Sequence, residues 1–286
     1  MTDFFTWLVL VKIVTAVLIV VALSVLAEVV SPRFAGIVSG YPLGAAISLF
    51  FMGFDIGPQF AAESARYTSL GLIATQVFAY FYYRASLLTD GMKRGPRVLL
   101  SSIGGTVGFM AAVTVLRFLP VNASVAVLLP VAFIVLFTWL FRSIKNTRIK
   151  KRAGTDLKAM LLRSAFAAGF VVAVTSIAGI VGTGWAGLFA AFPMTMLPSA
   201  AIIHFSYEPE HVRAFLKNVP RGLGCLVVYA LAVSLTYPAC GIYLGTILSY
   251  VAATVFLIVI QVDWFSFGKP VPLPAASEQT GVRRRS

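Results

Sequence analysis

The sequence predicts an all-α integral membrane protein of about nine transmembrane helices, arranged as two inverted four-helix repeats joined by a connecting helix. Three observations lead there. The chain is 59% apolar and only 12% charged, with a mean hydropathy of +0.91, which leaves too little polar surface for a soluble domain of this length. Its apolar runs match the roughly 20 residues needed to cross a bilayer. One stretch also occurs twice, 151 positions apart: Ala35-Gly36-Ile37-Val38-Ser39-Gly40-Tyr41-Pro42-Leu43 returns as Ala186-Gly187-Leu188-Phe189-Ala190-Ala191-Phe192-Pro193-Met194.

Taken in order, the spans fall at 5–30, 35–54, 65–88, 96–118, 121–141, 159–181, 184–206, 215–236 and 238–262. Residues 1–118 form the first repeat, 119–141 the connecting helix, 142–158 a basic linker, 159–265 the second repeat and 266–286 a tail ending in Arg283-Arg284-Arg285. The tail is Pro-containing and polar, a composition expected to stay disordered. The first span is read as a retained helix. Asp3 replaces the basic start of a signal peptide, and Lys12 interrupts the apolar region.

Orientation follows from the basic residues. If the linker is cytoplasmic, inside segments hold Arg33, Arg84, Lys93, Arg94, Arg97, the linker's cations, Arg213, Lys217, Arg221, Lys269 and Arg283 to Arg285. These make 19 of the 23 Lys and Arg. Such a split is what short loops obey under the positive-inside rule, and it places the N-terminus outside and the C-terminus in the cytoplasm. The net charge of +13 is thus a topology signal. Because it is shared among loops, it forms no nucleic-acid-binding face.

The repeat runs beyond the proline stretch. At the same offset Lys12 meets Arg163, Ser48 meets Ser199, Pro58 meets Pro209 and Gly71 meets Gly222. The fourth helices align at an offset of 140, through Gly105-Thr106 with Gly245-Thr246 and Thr114-Val115 with Thr254-Val255. The odd span between the units makes the second enter from the opposite side, as in transporters that exchange outward-open and inward-open states.

The second unit resembles the GlpM-type family of small bacterial inner-membrane proteins through Ala186-Gly187-Leu188, Phe192-Pro193, His204 and Glu210-His211-Val212-Arg213-Ala214. The first unit is similar to other members through Lys12, Ser31-Pro32-Arg33, Ala35-Gly36 and Tyr41-Pro42. Relatives are usually one four-helix unit, so the chain resembles two of them fused. The resemblance implies a multi-pass protein of a bacterial inner membrane and brings no settled substrate.

The candidate site is built on the two prolines. A mid-helix proline removes one backbone donor and frees a carbonyl, and lipid cannot satisfy that carbonyl, so the kink should face protein or a wet cavity. Pro42 and Pro193 are therefore placed at a substrate cavity, with Ser39, Tyr41, Ser48, Thr195 and Ser199 as polar contacts. Lys12 and Arg163 sit at matched depth. They either face that cavity, favouring an anionic substrate or headgroup, or snorkel to a surface. Asp55, Glu63 and Arg66, like Glu208, Glu210 and Arg213, cluster at the starts of the third and eighth helices, as helix caps or as an ion-pair gate. His204 and His211 are read as interfacial.

These features lead to a secondary transporter or exporter of a small anionic or amphipathic metabolite working by alternating access. The alternatives are a lipid-headgroup translocase and a non-transporting accessory protein of an envelope pathway. The acids and histidines make no catalytic set, so no enzyme, metal or cofactor is expected. The expected partners are membrane lipid and an unidentified small molecule. Glycine pairs such as Gly104/Gly108 and Gly241/Gly245 suit helix packing in a monomer or a homodimer.

Overall fold

A computed structural model describes residues 7, 10–15, 17–18, 41–144 and 157–267. Ser39, Glu28, Arg33, Gly36, Gly40, most of the basic linker and the C-terminal tail lie outside the described residues. Every element among those described is a helix: α1 (Leu43–Asp55), α2 (Pro58–Leu88), α3 (Arg94–Leu116), α4 (Ala123–Leu140), α5 (Leu157–Ala190), α6 (Met196–Ser206), α7 (Pro209–Lys217) and α8 (Val219–Phe267). Residues 10–15 add a short helical stretch before them.

Four helical stretches are long and apolar enough to cross a membrane: Arg94–Leu116, Ala123–Leu140, Leu161–Ala190 and Pro209–Val259. The chain is thus an all-helical protein of membrane-spanning character. Its outer faces agree with lipid contact, because Leu99, Ile103, Val107, Leu128, Val135, Ile247 and Val251 all stand exposed.

Two of the long helices are hairpins. Gly182 has φ 78° and ψ 170° and Gly241 has φ 77° and ψ 175°, a conformation open almost only to glycine. Thr236 Oγ1 and Ser249 Oγ are 3.1 Å apart, and Tyr237 hydrogen-bonds Thr246 at 2.7 Å. Thirteen residues of straight helix would span about 20 Å, so α8 folds back on itself at Gly241. Likewise Phe170 and Phe192 stack with ring centroids 4.5 Å apart across the Gly182 reversal. The Gly182 reversal falls between two expected spans, whereas the Gly241 reversal falls just inside the span expected at 238–262.

At the centre lies α2, packed against α1, α3, α4, α5, α7 and α8. It starts at Pro58, earlier than the span expected from residue 65, because a proline fits the first helical turn. Its Ser64, Thr68, Ser69, Thr75 and Gln76 are buried among protein rather than lipid. Two of these hydroxyls find carbonyls here, Thr68 donating to Ser64 O at 2.9 Å and Ser69 donating across to Ala126 O at 2.6 Å, while Ser64 Oγ makes no hydrogen bond. The small residues allow close approach. A Cβ on Gly187 would fall 2.1 Å from the Ser64 carbonyl oxygen, so the second arm of α5 lies directly on α2.

Element ends recur at the sequence offset. Asp55 and Ser206 close α1 and α6, and Pro58 and Pro209 open α2 and α7, each pair 151 residues apart. The span expected at 184–206 is divided, with the helix interrupted from Ala191 to Thr195 around Pro193.

Candidate functional site

Both prolines sit in the same turn. Leu43 N donates to Tyr41 O at 2.8 Å, and Met194 N donates to Phe192 O at 2.7 Å, a three-residue turn centred on proline. Pro42 has φ −76° and ψ 60°, the values of an inverse γ-turn. Each helix then resumes on the proline carbonyl, through Ala46 N to Pro42 O at 3.3 Å and Leu197 N to Pro193 O at 2.8 Å. Pro42 and Pro193 are both buried, so the freed backbone faces protein. There Thr75 of α2 donates its hydroxyl to Ala191 O at 2.6 Å, satisfying a carbonyl within the break.

The two breaks meet. A cavity of about 160 Å³ is lined by Tyr41, Leu43, Gly44 and Ala45 from one and by Ala190 to Met196 and Ser199 from the other. Thr75 and Leu226 close its sides, and Phe215, Val219 and Leu223 carry it along one face of α7 and α8 toward the Pro209 end. The residues 151 positions before those three are Ser64, Thr68 and Leu72, and all three are fully buried. The cavity therefore extends toward one end of the bundle, while packing of Gly187 on Ser64 seals the other.

The aromatic residue before each proline reaches a helix distant in the chain. Tyr41 hydrogen-bonds Thr254 at 2.8 Å and stacks on Tyr250 at 5.7 Å, both on the second arm of α8. Phe192 packs edge-on against Phe109 of α3 at 5.0 Å. The first break is thus held by the second arm of α8 and the second by α3.

Of the residues singled out in the sequence, Tyr41, Pro193, Thr195 and Ser199 line the cavity, and Pro42 lies between two lining residues. Ser199 turns its hydroxyl back to Thr195 O at 2.6 Å. Ser48 is fully buried within α1, away from the cavity, and its Oγ makes no hydrogen bond. Lys12 does not line the cavity and does not snorkel. It is buried in an ion pair with Asp55 at the end of α1 and lies over the Phe51 ring at 5.6 Å. Asp55 is consequently an ion-pair partner rather than a helix cap, and Glu63 lies beyond the first turn of α2. Arg163 is half-buried on α5 and is not a lining residue.

At the Pro209 end, Arg213 donates to Ser86 O at 2.8 Å and pairs with Asp90 at 2.7 Å and Glu210 at 3.6 Å. The partner Asp90 was not part of the cluster expected from the sequence. His204 is fully buried rather than interfacial, with Tyr82 as its ring partner at 3.2 Å, whereas His211 is half-exposed beside Glu208 and Tyr207. Sequence reading also missed Thr75, Gly44 and Met194 in the cavity wall. Gly71, recognised as a repeated glycine, lies one turn before Thr75 and could have pointed to that face.

Among the described residues, no charged side chain lines the cavity. Its wall is hydroxyl-bearing at the breaks and thioether, aromatic and aliphatic elsewhere, so it suits a small molecule with one polar end. No protein-family model, curated protein or solved structure matches this chain.

Proposed function

We propose that the chain is a secondary transporter or exporter of a small amphipathic metabolite, working by alternating access around the two proline breaks. The observation that carries this reading is the meeting of two identical γ-turns at one cavity. Broken helices in corresponding positions of two repeats are where transporters bind substrate near the bilayer midplane. The described lining residues are uncharged, which favours the amphipathic side of the expected substrate class over the anionic one.

In this reading the nine-span, inverted-repeat architecture stands. The matched element ends, the shared turn and the crossed aromatic contacts support it. The positive-inside rule assigns the Pro209 end to the cytoplasm, so the conformation is inward-facing. Its outer side is closed by Gly187 on Ser64 and latched by Lys12 with Asp55. The resemblance to the GlpM-type family would make each unit an ancestral half, in a bacterial inner membrane.

The test is flux of pooled metabolites in cells lacking the protein, restored with wild type, Pro193→Ala or Thr195→Val. The reading expects one or more amphipathic compounds to redistribute with wild type and not with either variant, at equal membrane abundance. Wild-type flux retained in both variants would remove the site from this position.

A further inference from the structure

Among the described residues, the Asp90 end of the bundle carries a cation that no carboxylate neutralises. Arg97, in the first turn of α3, is 7% exposed, and its buried Nε makes no hydrogen bond. None of the ion pairs described above reaches it; Asp90 and Glu210 are held by Arg213. A buried charge persists when it is paired or bonded to an opposite one.

Near it lies a second unmet polar atom. α3 packs on α6, which carries His204. Tyr82 Oη and His204 Nδ1 share a hydrogen bond at 3.2 Å. The other ring nitrogen, Nε2, is buried and makes no hydrogen bond. Arg97 and Arg213 are the cations within electrostatic range of His204, and Asp90 is the carboxylate. The N-terminus of α3 has no side-chain cap, so its free N–H groups add positive potential at the same place. The charges gathered here are cationic apart from Asp90, which Arg213 already holds. What is missing is an acceptor that brings negative charge and several oxygens.

We infer that this end of the bundle binds a phosphate-class anion, with Arg97 as its direct donor and Arg213 as a fixed neighbouring charge. Phosphate accepts several charge-assisted bonds at once and suits an uncapped helix N-terminus. The same chemistry is carried by a free phosphate and by the headgroup of an anionic lipid. The inference stands apart from the transport reading, because no residue of this cluster lines the proline cavity.

The experiment uses the purified full-length chain. Inorganic phosphate is titrated in neutral detergent, and separately the chain is placed in phosphatidylcholine nanodiscs with or without phosphatidic acid, with the unfolding midpoint read in each. A rise with inorganic phosphate identifies a soluble anion, and a rise with phosphatidic acid alone identifies a lipid headgroup. Arg97→Gln should weaken the responding probe about tenfold or more, equivalent to about 1.4 kcal/mol per tenfold, while the exposed Arg94→Gln should leave it unchanged. Should Arg97→Gln fail to fold, Arg97→Lys, which keeps the charge and loses the guanidinium fork, should weaken it as well. No rise with either probe in the wild type, or an equal response in the Arg94 and Arg97 variants, would overturn the inference.

Discussion

Gly44 and Met194 touch across the middle of the molecule: a Cβ on Gly44 would stand 2.8 Å from the Met194 sulfur. Met194 directly follows Pro193, and Gly44 lies two residues past Pro42. The two proline turns are therefore neighbours in space although they lie 151 residues apart in the chain. The cavity between them exists because glycine leaves room on one side and a flexible thioether fills the other.

That contact contrasts with the one sealing the opposite side. Gly44→Ala meets the mobile end of a methionine, which can rotate away, so its unfolding midpoint should stay within a degree or two of wild type. Gly187→Ala drives a methyl into the Ser64 backbone oxygen, which cannot move without shifting α2. Overpacking of this kind costs about 1–3 kcal/mol. Thermal unfolding of the two variants in detergent should therefore separate them by several degrees.

Lys12 and Asp55 form a buried pair that ties the N-terminal helical residues to the end of α1. Removing one partner leaves the other charge buried and unmatched, at about 3–5 kcal/mol, whereas replacing both with apolar residues can be close to neutral. Lys12→Met or Asp55→Leu alone should destabilise strongly, and the double variant should recover most of the loss. A double-mutant cycle of unfolding midpoints checks this, and additive losses would contradict it.

Thr75 satisfies the Ala191 carbonyl inside the second break. Thr75→Val keeps the side-chain shape, removes that bond and leaves a buried acceptor unmet, costing about 1–3 kcal/mol. Amide exchange around Met194 to Leu197 should speed up in the variant, while exchange in α3 should not change.

The hairpin glycines can be tested without steric complication. A Cβ on Gly182 or Gly241 would meet no atom within 4 Å, so alanine there probes backbone strain alone. Holding a non-glycine residue in that region costs about 1–3 kcal/mol. Gly241→Ala should lower the midpoint accordingly, and an unchanged midpoint would mean that the α8 reversal is made differently.

Much of this was readable from the chain because membrane helices leave few local signals, and those few are strong. Pro42 and Pro193 stand in matching frames, and a proline's missing donor forces the same turn at both. Pro58 and Pro209 mark helix starts for the same reason. The basic residues were harder to place. Lys12 and Asp55 are 43 positions apart, and nothing in either local stretch announces their pairing. Asp55 reads as a cap because it precedes a helix. Arg97 belongs by composition to an exposed basic loop, and only the packing of α3 against α6 buries it. The cavity's uncharged lining was likewise unreadable, since it depends on which faces of α7 and α8 turn inward.

In the proposed cycle the proline cavity opens alternately to the two sides of the membrane. In a chain with Cys225 and Cys240 replaced, Thr195→Cys in sealed vesicles of each orientation should react with a membrane-impermeant thiol reagent. The account predicts modification from both faces, fast from the Pro209 side and slow from the other, with the slow rate raised when the Lys12–Asp55 pair is removed. Modification from one face alone, unaffected by that removal, or no modification at all, would contradict it.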